Sequence, residues 1–388
     1  MKPLLGIGWQ ISELHGWGVF GINLARQLLL RGAPRPVLLH DPVLDGAAIA
    51  ELKPLIDEWQ MLKPRLAALK NTEILHAPEA LIMHGFGNHF TGPGSQPKVW
   101  GGKNVGFIFF EEVAFTEAEL ALGRRLDLML AGSTWNARLL RRFGFENALC
   151  VMQGVDLQRF AGLGGKRRYQ DRFVVFSGGK LEYRKAQDIV LVAFKEFQRR
   201  HPDALLLTAW HNPWPQTAAS VAEGPHGTGA PRIDPASGQL DLAGWARDFG
   251  IPEGAFVDGG FRNNRELPAL YAEADVALFP NRAEGGTNLV AMELMASGVP
   301  CILSANTGHI DLIDVENCYV LHEQALSKLP ERDGWGESDP AEIVERLEKT
   351  YADREQARRI GAAGRQFISG CSWQNQVSRL IEILSDVG

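Results

Sequence analysis

The stretch Phe279-Pro-Asn-Arg-Ala-Glu284-Gly-Gly-Thr-Asn-Leu289-Val-Ala-Met-Glu293-Leu-Met-Ala-Ser-Gly298-Val-Pro300 is the most informative part of the sequence. It follows the short apolar run Val276 to Phe279 and precedes a second apolar run, Cys301 to Leu303. This order predicts a strand, a glycine-rich loop, a helix that starts near Asn288, and another strand. Loops at the carboxyl ends of parallel strands are where open α/β sheets bind their ligands.

The loop and the helix start together predict an anion-binding site. Gly285 and Gly286 let the backbone approach a ligand closely, and the helix end offers N–H groups and a positive dipole end to a diphosphate. Glu284 lies before this cradle, and Glu293 lies about one turn into the helix. The arrangement suits a ligand with a phosphate part and a hydroxyl-rich part, such as a sugar nucleotide. Two solvated carboxylates beside an ordinary loop are the alternative at this point.

Length and composition restrict the class of protein. A chain of 388 residues suggests two or three domains. The apolar fraction of 45% and the charged fraction of 22% are typical of a soluble globular protein. The net charge of −6 provides no broad basic field for nucleic acid or an anionic membrane, so no nucleic-acid partner is expected.

Cysteine spacing and the N-terminal sequence indicate the cellular compartment in which the protein is expected. The four cysteines lie far apart without metal-ligand spacing, so we expect buried free thiols in a reducing environment rather than a disulfide frame or a zinc site. Met1-Lys-Pro leads straight into Leu4, which is too short for a signal peptide, and no run of about eighteen apolar residues occurs. The sequence therefore predicts a cytoplasmic protein, with peripheral contact to the inner face of the membrane left open.

Short apolar runs alternate with amphipathic stretches along the whole chain, which predicts βα units and parallel sheets. The polar stretch from Gly162 to Asp171 has the character of an interdomain linker, and the last helix is expected over residues 372–384. The expected strands are 36–40, 80–84, 105–110, 127–131, 173–179, 204–208, 276–279 and 301–304.

The stretch from His211 to Gln239 does not fit a compact sheet. It is rich in Pro, Gly and Ala, and loops of such length are usually functional or disordered. A tolerated surface loop and a role in substrate choice are both left open by the sequence.

A basic turn follows the first strand of the second half, in Gly178-Gly179-Lys180-Leu-Glu-Tyr-Arg184-Lys185-Ala-Gln-Asp188. Ammonium and guanidinium groups beside a glycine turn are suited to bind a diphosphate. A solvated basic turn is the alternative interpretation.

These two segments resemble the donor-binding signature of family-4 retaining glycosyltransferases, which have the GT-B fold. Glu293-Leu-Met-Ala-Ser-Gly298-Val-Pro300 fits the second half of that signature, and the basic turn fits its Gly-Arg-Leu-x-x-x-Lys-Gly-x-Asp pattern, with Lys180 in place of arginine. One more residue separates Glu284 from Glu293 than the family pattern usually has. Either the loop carries a bulge, or Glu284 is not equivalent to the first glutamate of the family.

A second glycine pattern, Gly16-x-Gly18-x-x-Gly21, lies near the N-terminus. The pattern is weak by itself, and Asp41 ends the following predicted strand, so a nicotinamide-binding domain remains an alternative for this segment. In the family, the equivalent loop contacts donor phosphate or acceptor. The segment Ser133 to Phe160 matches a further family signature, Gly-Val-Asp-x-x-x-Phe, to which we assign no chemistry.

Polar residues near the ends of two strands of the first half are candidates for the acceptor side. Glu111 and Glu112 follow the run 105–110, where many family members have a histidine, and Glu111 could orient an acceptor hydroxyl or accept its proton. His84, at the end of the previous run, and Asn88, shortly after it, are the other candidates. A favourable helix-terminal glutamate and a structural histidine are the alternatives here, and the same caution applies to His309.

The resemblance implies an α/β protein with two Rossmann-like domains facing each other across a cleft. We expect an N-terminal acceptor-side domain over residues 1–165, a donor-side domain over 172–365, and a C-terminal helix over 366–388 that returns to the first domain. The implied activity is transfer of a sugar, with retention of configuration, from a nucleoside-diphosphate donor to a hydroxyl of a glycan, glycolipid or other acceptor. A sugar-nucleotide epimerase on the same scaffold and a non-catalytic sugar-nucleotide or glycan-binding protein are the alternatives.

The resemblance also implies roles for individual residues. Neither a cofactor nor a metal is expected, because the basic turn supplies the charge. Glu284 is expected to contact hydroxyls of the donor sugar, and Glu293 the ribose. The expected catalytic residues are Glu284, Lys180, Lys185 and Glu111. The expected donor contacts are Gly16, Gly18, Gly179, Arg184, Gly285, Gly286, Thr287, Asn288, Leu289 and Glu293; the acceptor-side residues are His84, Asn88 and Glu112.

Overall fold

The computed structural model describes residues 4–70, 73–92, 98–161, 163–211 and 213–387. The chain divides into two compact units. The N-terminal unit comprises Met1–Gly154, Pro330–Arg332 and Cys371–Gly388, and the C-terminal unit comprises Val155–Leu329 and Asp333–Gly370.

The N-terminal unit is built on a six-stranded sheet in which every pairing is parallel. Its spatial order is β2-β1-β3-β4-β5-β6. The strands are β1 Leu4–Gly8, β2 Arg35–Leu38, β3 Leu75–Phe86, β4 Val99–Ile108, β5 Leu128–Ala131 and β6 Leu149–Cys150. The first helices are α1 Gly16–Arg31, α2 Gly46–Glu51, α3 Lys53–Ala67, α4 Glu117–Gly123 and α5 Thr134–Arg142.

The C-terminal unit contains a second parallel six-stranded sheet, in the order β12-β11-β10-β7-β8-β9, and a two-stranded antiparallel hairpin, β13-β14. The strands are β7 Phe173–Gly178, β8 Ala204–Ala209, β9 Phe256–Asp258, β10 Val276–Phe279, β11 Cys301–Ser304, β12 Tyr319–Leu321, β13 Gln324–Leu326 and β14 Gly336–Ser338. The helices are α6 Leu157–Phe160, α7 Gln187–Arg200, α8 Leu242–Asp248, α9 Leu267–Tyr271, α10 Leu289–Ala296, α11 Pro340–Ala352 and α12 Arg354–Ile368.

The order of the second sheet explains why two distant loops meet. Strand β7 pairs directly with β10, with Val175 opposite Val276. Every residue of both strands is buried, because helices cover both faces of the sheet. The turn that follows β7 and the loop that follows β10 therefore leave the same edge from neighbouring strands.

The last helix, α13 Trp373–Val387, belongs to the N-terminal unit. It buries an apolar stripe that includes Val377 and Leu380. Arg31, at the end of α1, donates hydrogen bonds to the Gln374 carbonyl (3.0 Å) and the Ser378 hydroxyl (2.5 Å). Helix α13 is thus held to α1 by apolar contact and by the hydrogen bonds of the Arg31 guanidinium.

The predicted strands 276–279 and 301–304 have the predicted bounds, but two other expectations are wrong. His84 lies inside β3, which runs on to Phe86, so the strand does not end at His84. The stretch predicted as a linker is fastened to the C-terminal unit, since the backbone amides of Arg167, Arg168 and Tyr169 donate to the Glu273 carboxylate at 3.1 Å. Gly162, the first residue of that stretch, lies outside the described residues.

None of the four cysteines forms a disulfide, and three of them are buried. Cys301, Cys318 and Cys371 are buried, and burial raises the pKa of each thiol, to about 12 for Cys318. Cys150, at the end of β6, is half-buried. Within the described ranges, the helices are too short or too polar to cross a bilayer.

Candidate functional site

The basic turn after β7 is held in place by backbone bonds to the neighbouring strand. Gly179 has a φ of 111°, which favours glycine, and its amide donates to the carbonyl of Ala209 at 3.0 Å. A single 3₁₀ turn covers Tyr183–Lys185, and Ala186, with a φ of 59°, then leads into α7. The predicted strand–turn–helix is present, and its cationic side chains lie at the edge of the sheet.

Glu284 is the centre of the charged cluster formed by the turn and the loop. Its carboxylate accepts hydrogen bonds from the Lys185 ammonium at 2.5 Å, from the Arg184 guanidinium at 3.1 Å, and from the side-chain amide of Asn281. Burial by itself would raise the pKa of this 4% exposed residue, but the charges of Lys185 and Arg184 outweigh burial and lower the pKa to about 2. Glu284 is therefore a carboxylate throughout the physiological range.

Lys185 is buried against that carboxylate. Its side chain is 11% exposed, and burial lowers its pKa more than the adjacent Glu284 raises it. The contact with Glu284 favours the charged form of Lys185 and opposes the effect of burial. A diphosphate presented to this cluster would find the Lys185 side chain already held in position.

The third cation, Lys180, is paired with a carboxylate that the sequence analysis did not select. Glu182 forms ion pairs with Lys180 at 2.6 Å and with Arg184 at 2.7 Å. Although burial opposes ionisation, the charges of Arg184 and Lys180 lower the pKa of Glu182. Three cations against the two carboxylates Glu182 and Glu284 leave one excess positive charge in the cluster.

The glycine loop is fixed by the segment that follows β11. The backbone amide of Glu284 donates to the Thr307 hydroxyl at 2.8 Å, and the amide of Gly308 donates to the Glu284 carbonyl at 2.9 Å. A β-carbon at Gly308 would lie 1.8 Å from the Gly286 carbonyl oxygen, so no side chain fits there. The loop from Glu284 to Asn288 therefore packs directly against the backbone of the segment after β11, and this contact restricts its movement.

Helix α10 begins where the sequence predicts. Asn288 is its N-cap in a left-handed conformation, with a φ of 63°, and its side chain accepts from the amide of Ala291 at 3.4 Å. Thr287 is fully buried and its hydroxyl contacts the sulfur of Met292 at 3.1 Å. The positive end of the helix dipole therefore lies at Leu289, next to the loop.

His309 is a buried structural residue beside this helix start. Its Nδ1 lies 3.0 Å from the Ser304 hydroxyl, which donates its own proton to the carbonyl of Asn281. Its Nε2 lies 3.0 Å from the Asn288 side-chain amide, and the ring accordingly carries its proton on Nδ1. Burial is the largest effect on His309 and lowers its pKa to about 4, so the ring is neutral.

Glu293 belongs to a separate hydrogen-bond network. Its carboxyl group accepts from the hydroxyl of the buried Tyr271 at 2.7 Å and from the Asn264 side chain at 2.9 Å. Arg159 in turn donates to Asn264, which connects the Gly-Val-Asp signature to this group. Burial raises the pKa of Glu293 to about 7, despite the two hydrogen bonds.

The N-terminal glycine pattern is used for packing. A β-carbon at Gly18 would lie 2.1 Å from the Ser12 hydroxyl, and the Gly18 amide already donates to Nδ1 of His15 at 3.1 Å. The Gly18 amide is thus engaged by His15, and the expected contact of Gly18 with the donor stays a prediction. Gly16, at the first position of α1, is exposed.

Asp41, which the nicotinamide alternative required for a ribose, is already engaged. Its carboxylate accepts from the Trp59 indole at 2.9 Å and from the Lys63 ammonium at 2.7 Å. A dinucleotide-binding fingerprint needs a glycine that lets the backbone approach a pyrophosphate and a carboxylate that is available to the ribose. Within the described residues of the N-terminal unit, Gly18 is tightly packed and Asp41 is already bonded, so neither feature is present.

The acceptor-side candidates do not form one cluster. His84 is buried and its Nε2 lies 3.0 Å from the Asn104 side chain; burial lowers its pKa. The Asn88 side chain accepts from the backbone amides of Glu111 (2.8 Å) and Glu112 (3.3 Å) and so shapes that loop. Glu112 pairs with His89 at 3.0 Å, whereas Glu111 is half-buried.

One further group of potential metal ligands lies beneath the site. Asp188, His226 and Glu337 place ligand atoms within 4.8 Å of one another. The guanidinium of Arg282, however, donates to the Asp188 carboxylate at 2.7 and 2.8 Å and to the Glu337 carboxylate at 2.5 and 2.8 Å. A buried guanidinium already occupies both carboxylates, which disfavours a second cation there.

Comparison with known proteins agrees with this geometry. Residues 261–380 match a family model described as "Family 4 Glycosyltransferase in conflict systems". The chain is 29% identical over 281 residues to a GDP-mannose-dependent alpha-(1-6)-phosphatidylinositol monomannoside mannosyltransferase of Mycolicibacterium smegmatis. That match covers 68% of this chain and 63% of the relative, which is less than two thirds of the relative's length.

This chain is similar to family-4 glycosyltransferases. Similarity in structure extends over its full length. Sucrose-phosphate synthase from Thermosynechococcus elongatus superposes with a TM-score of 0.67 at 15% identity, covering 100% of this chain and 99% of that protein. Anabaena HepE, in complex with UDP and glucose, gives a TM-score of 0.67 at 14% identity, with 100% of both chains covered. The expected fold, GT-B with two Rossmann-like domains, is confirmed.

The sequence did not predict the residues that hold Lys180, Glu284 and Glu293 in place. Glu182 lies within the quoted basic turn, between Lys180 and Arg184 in the sequence. That position could have identified it as their partner. Asn281 lies in the same loop as Glu284, three residues before it. Thr307, Asn264 and Tyr271 lie on other elements and contact Glu284 or Glu293 only after folding. No local pattern marks them.

Proposed function

We propose that this glycosyltransferase transfers a sugar from a nucleoside-diphosphate donor to an acceptor hydroxyl with retention of anomeric configuration. The observation that carries the proposal is the convergence of Arg184, Lys185 and Glu284 at the edge shared by β7 and β10. Charged donors in this position, next to the positive end of α10, suit a diphosphate, and the adjacent carboxylate suits sugar hydroxyls.

The proposed mechanism is electrostatic stabilisation of the leaving group. The bond between the anomeric carbon and the diphosphate oxygen breaks, and negative charge develops on that oxygen. Lys180, Lys185 and the start of α10 offset this charge. The acceptor hydroxyl forms the new bond on the same face, and its proton passes to the departing phosphate oxygen, so the step is balanced without a protein base or a metal.

Glu284 and Glu293 have different proposed roles. Glu284 is ionised and lies among the cations, which suits an acceptor of hydrogen bonds from donor-sugar hydroxyls. Glu293 is proposed to contact the ribose, with Tyr271 and Asn264 holding its carboxyl group in place. Glu111 remains a candidate for orienting the acceptor hydroxyl, which we expect on a glycan, glycolipid or other hydroxyl compound at the cytoplasmic side of the membrane.

The sugar and the base are tested with a donor panel. The named relatives justify starting with GDP-mannose and UDP-glucose, followed by ADP- and dTDP-sugars. Binding should raise the melting temperature, because a ligand that binds only the folded state stabilises it by mass action. Turnover with an acceptor mixture should release nucleoside diphosphate and produce a glycoside of unchanged configuration at the anomeric carbon, detected by NMR.

Incubation with the donor alone distinguishes the other functions. A sugar-nucleotide epimerase would convert the donor to free nucleotide and an altered sugar without acceptor, and a binding protein would leave it intact even when acceptor is present. Either result, with a donor that demonstrably binds, would overturn the proposal.

A further inference from the structure

The Pro-rich segment over residues 213–239, which we term the insertion, is folded against the C-terminal unit. A 3₁₀ helix covers Pro215–Glu223, and within it Ala218 and Val221 are fully buried. Both belong to the same apolar core as strand β7. Its first half is therefore a packed element and not a solvated loop.

The insertion contacts the basic turn directly, through backbone groups of that turn. The Tyr183 amide donates to the Ser220 hydroxyl at 3.0 Å, and the Thr217 hydroxyl donates to the Leu181 carbonyl at 3.3 Å. Ser220 is oriented by its own bond to the Thr217 carbonyl at 2.7 Å. These contacts fall between Lys180 and Lys185, the two lysines assigned to the donor diphosphate.

The end of the 3₁₀ helix is equally close to the start of α7. A β-carbon at Gly224 would lie 2.0 Å from a carboxylate oxygen of Asp188, so only glycine fits. Asp188 in turn holds Arg282, whose guanidinium also donates to the Tyr183 carbonyl at 2.8 Å. Two residues further along the insertion, His226 lies 2.9 Å from Glu337.

Arg282 connects this arrangement to the glycine loop. Its backbone amide donates to the Arg184 carbonyl at 2.8 Å, and Glu284 follows two residues later. The insertion, the basic turn and the glycine loop thus form one continuous set of hydrogen bonds and ion pairs. A displacement of the insertion would be passed to the turn through Tyr183 and to the loop through Arg282.

We propose that the insertion is a brace that positions the basic turn for the donor diphosphate, with Ser220 and Gly224 as its positioning residues. The part of this proposal that concerns the diphosphate rests on the proposed function. The brace itself does not, because the contacts between Ser220, Tyr183 and Asp188 are properties of the protein alone. The two parts can therefore be tested separately.

The decisive variant is Ser220→Ala in the full chain, with two comparisons. Ser237→Ala removes a hydroxyl in the exposed part of the same insertion, where it donates to Asp234 at 3.0 Å and accepts from the Gln239 amide at 3.3 Å. Ser220→Thr retains a hydroxyl at the contact. Hydrogen–deuterium exchange without ligand should accelerate in Ser220→Ala at Lys185 and Ala186, whose amides bond within the turn. Ser237→Ala should leave exchange unchanged, and Ser220→Thr should restore it.

Titration calorimetry with UDP and GDP then tests the link to the donor. The better-bound nucleotide should lose about three- to tenfold in affinity in Ser220→Ala, the range expected for one hydrogen bond acting through a neighbour. Gly224→Ala, which moves Asp188, should lose more. A wild-type exchange rate at Lys185 and Ala186 in Ser220→Ala would overturn the brace. Faster exchange with unchanged nucleotide affinity would overturn its role toward the diphosphate, and failure of the wild type to bind either nucleotide would count against the proposed function.

Discussion

Replacing Lys185 by alanine should separate the catalytic from the structural contribution of the ion pair with Glu284. The proposed contact of Lys185 with a donor phosphate is charge-assisted, and such contacts contribute about 1.5–3 kcal/mol. That corresponds to a loss of about ten- to a hundred-fold in kcat/KM. The turn itself should persist, because the backbone bonds of Gly179 and Tyr183 do not involve this side chain.

The same substitution leaves the buried carboxylate of Glu284 with Arg184 and Asn281 as its remaining side-chain donors. Removing one partner of a buried pair costs about 3–5 kcal/mol when no other partner remains. Because Arg184 still neutralises Glu284, we expect a cost near the lower limit of that range. The pKa of Glu284 should rise, since Lys185 is the strongest influence that lowers it.

The double variant Lys185→Ala/Glu284→Gln should therefore recover much of the lost stability without recovering turnover. Urea unfolding measures the first quantity, and donor kinetics measures the second. Lys349→Ala, which removes an exposed lysine on α11, is the control and should resemble the wild type in both. A folded Lys185→Ala variant with wild-type kcat/KM would refute the diphosphate assignment, and a double variant less stable than either single variant would refute the ion-pair reasoning.

Three more predictions concern neighbouring groups. Glu284→Gln should lower turnover strongly with little change in affinity for free nucleoside diphosphate, whereas Glu293→Gln should weaken nucleotide binding; unaltered kinetics in Glu284→Gln would reject the role of this residue, though not the fold. Activity should survive EDTA, and complete loss restored by Mg²⁺ or Mn²⁺ would contradict the mechanism. Because the pKa of Glu284 falls from 4.5 to about 2 on folding, its ionisation contributes about 3 kcal/mol above pH 4.5 that is lost as pH falls toward 2. The difference in unfolding free energy between wild type and Glu284→Gln should shrink over that interval, and a constant difference would reject the shift.

Sequence periodicity predicted four of the six strands of the C-terminal sheet, β7, β8, β10 and β11. The apolar runs Val276–Phe279 and Cys301–Ser304 are strands with those bounds, and the helix between them begins after Asn288. Buried parallel strands are continuous apolar segments and are therefore visible in a single sequence. The cationic turn was visible for a similar reason, because its charges follow directly after such a strand.

Tertiary contacts and backbone geometry were not visible in the same way. A Gly-x-Gly-x-x-Gly pattern serves phosphate binding and close packing equally well, and the contact between Gly18 and Ser12 arises only when the helix docks. The sequence of the insertion shows no α-helical or β-strand periodicity, because its regular secondary structure is a 3₁₀ helix. Likewise, Thr307 lies 23 residues from its partner Glu284, a separation that no local rule spans.

The distribution of thiols provides a route to observing this protein in solution. Three of the four cysteines are buried with raised pKa values, so they are poor nucleophiles, whereas Cys150 at the end of β6 is half-buried. A maleimide fluorophore should therefore attach at one native position without prior removal of cysteines. Because that position lies on the N-terminal sheet and the donor cluster lies on the C-terminal sheet, a fluorescent nucleotide and this dye would form a donor–acceptor pair for energy transfer between the two units.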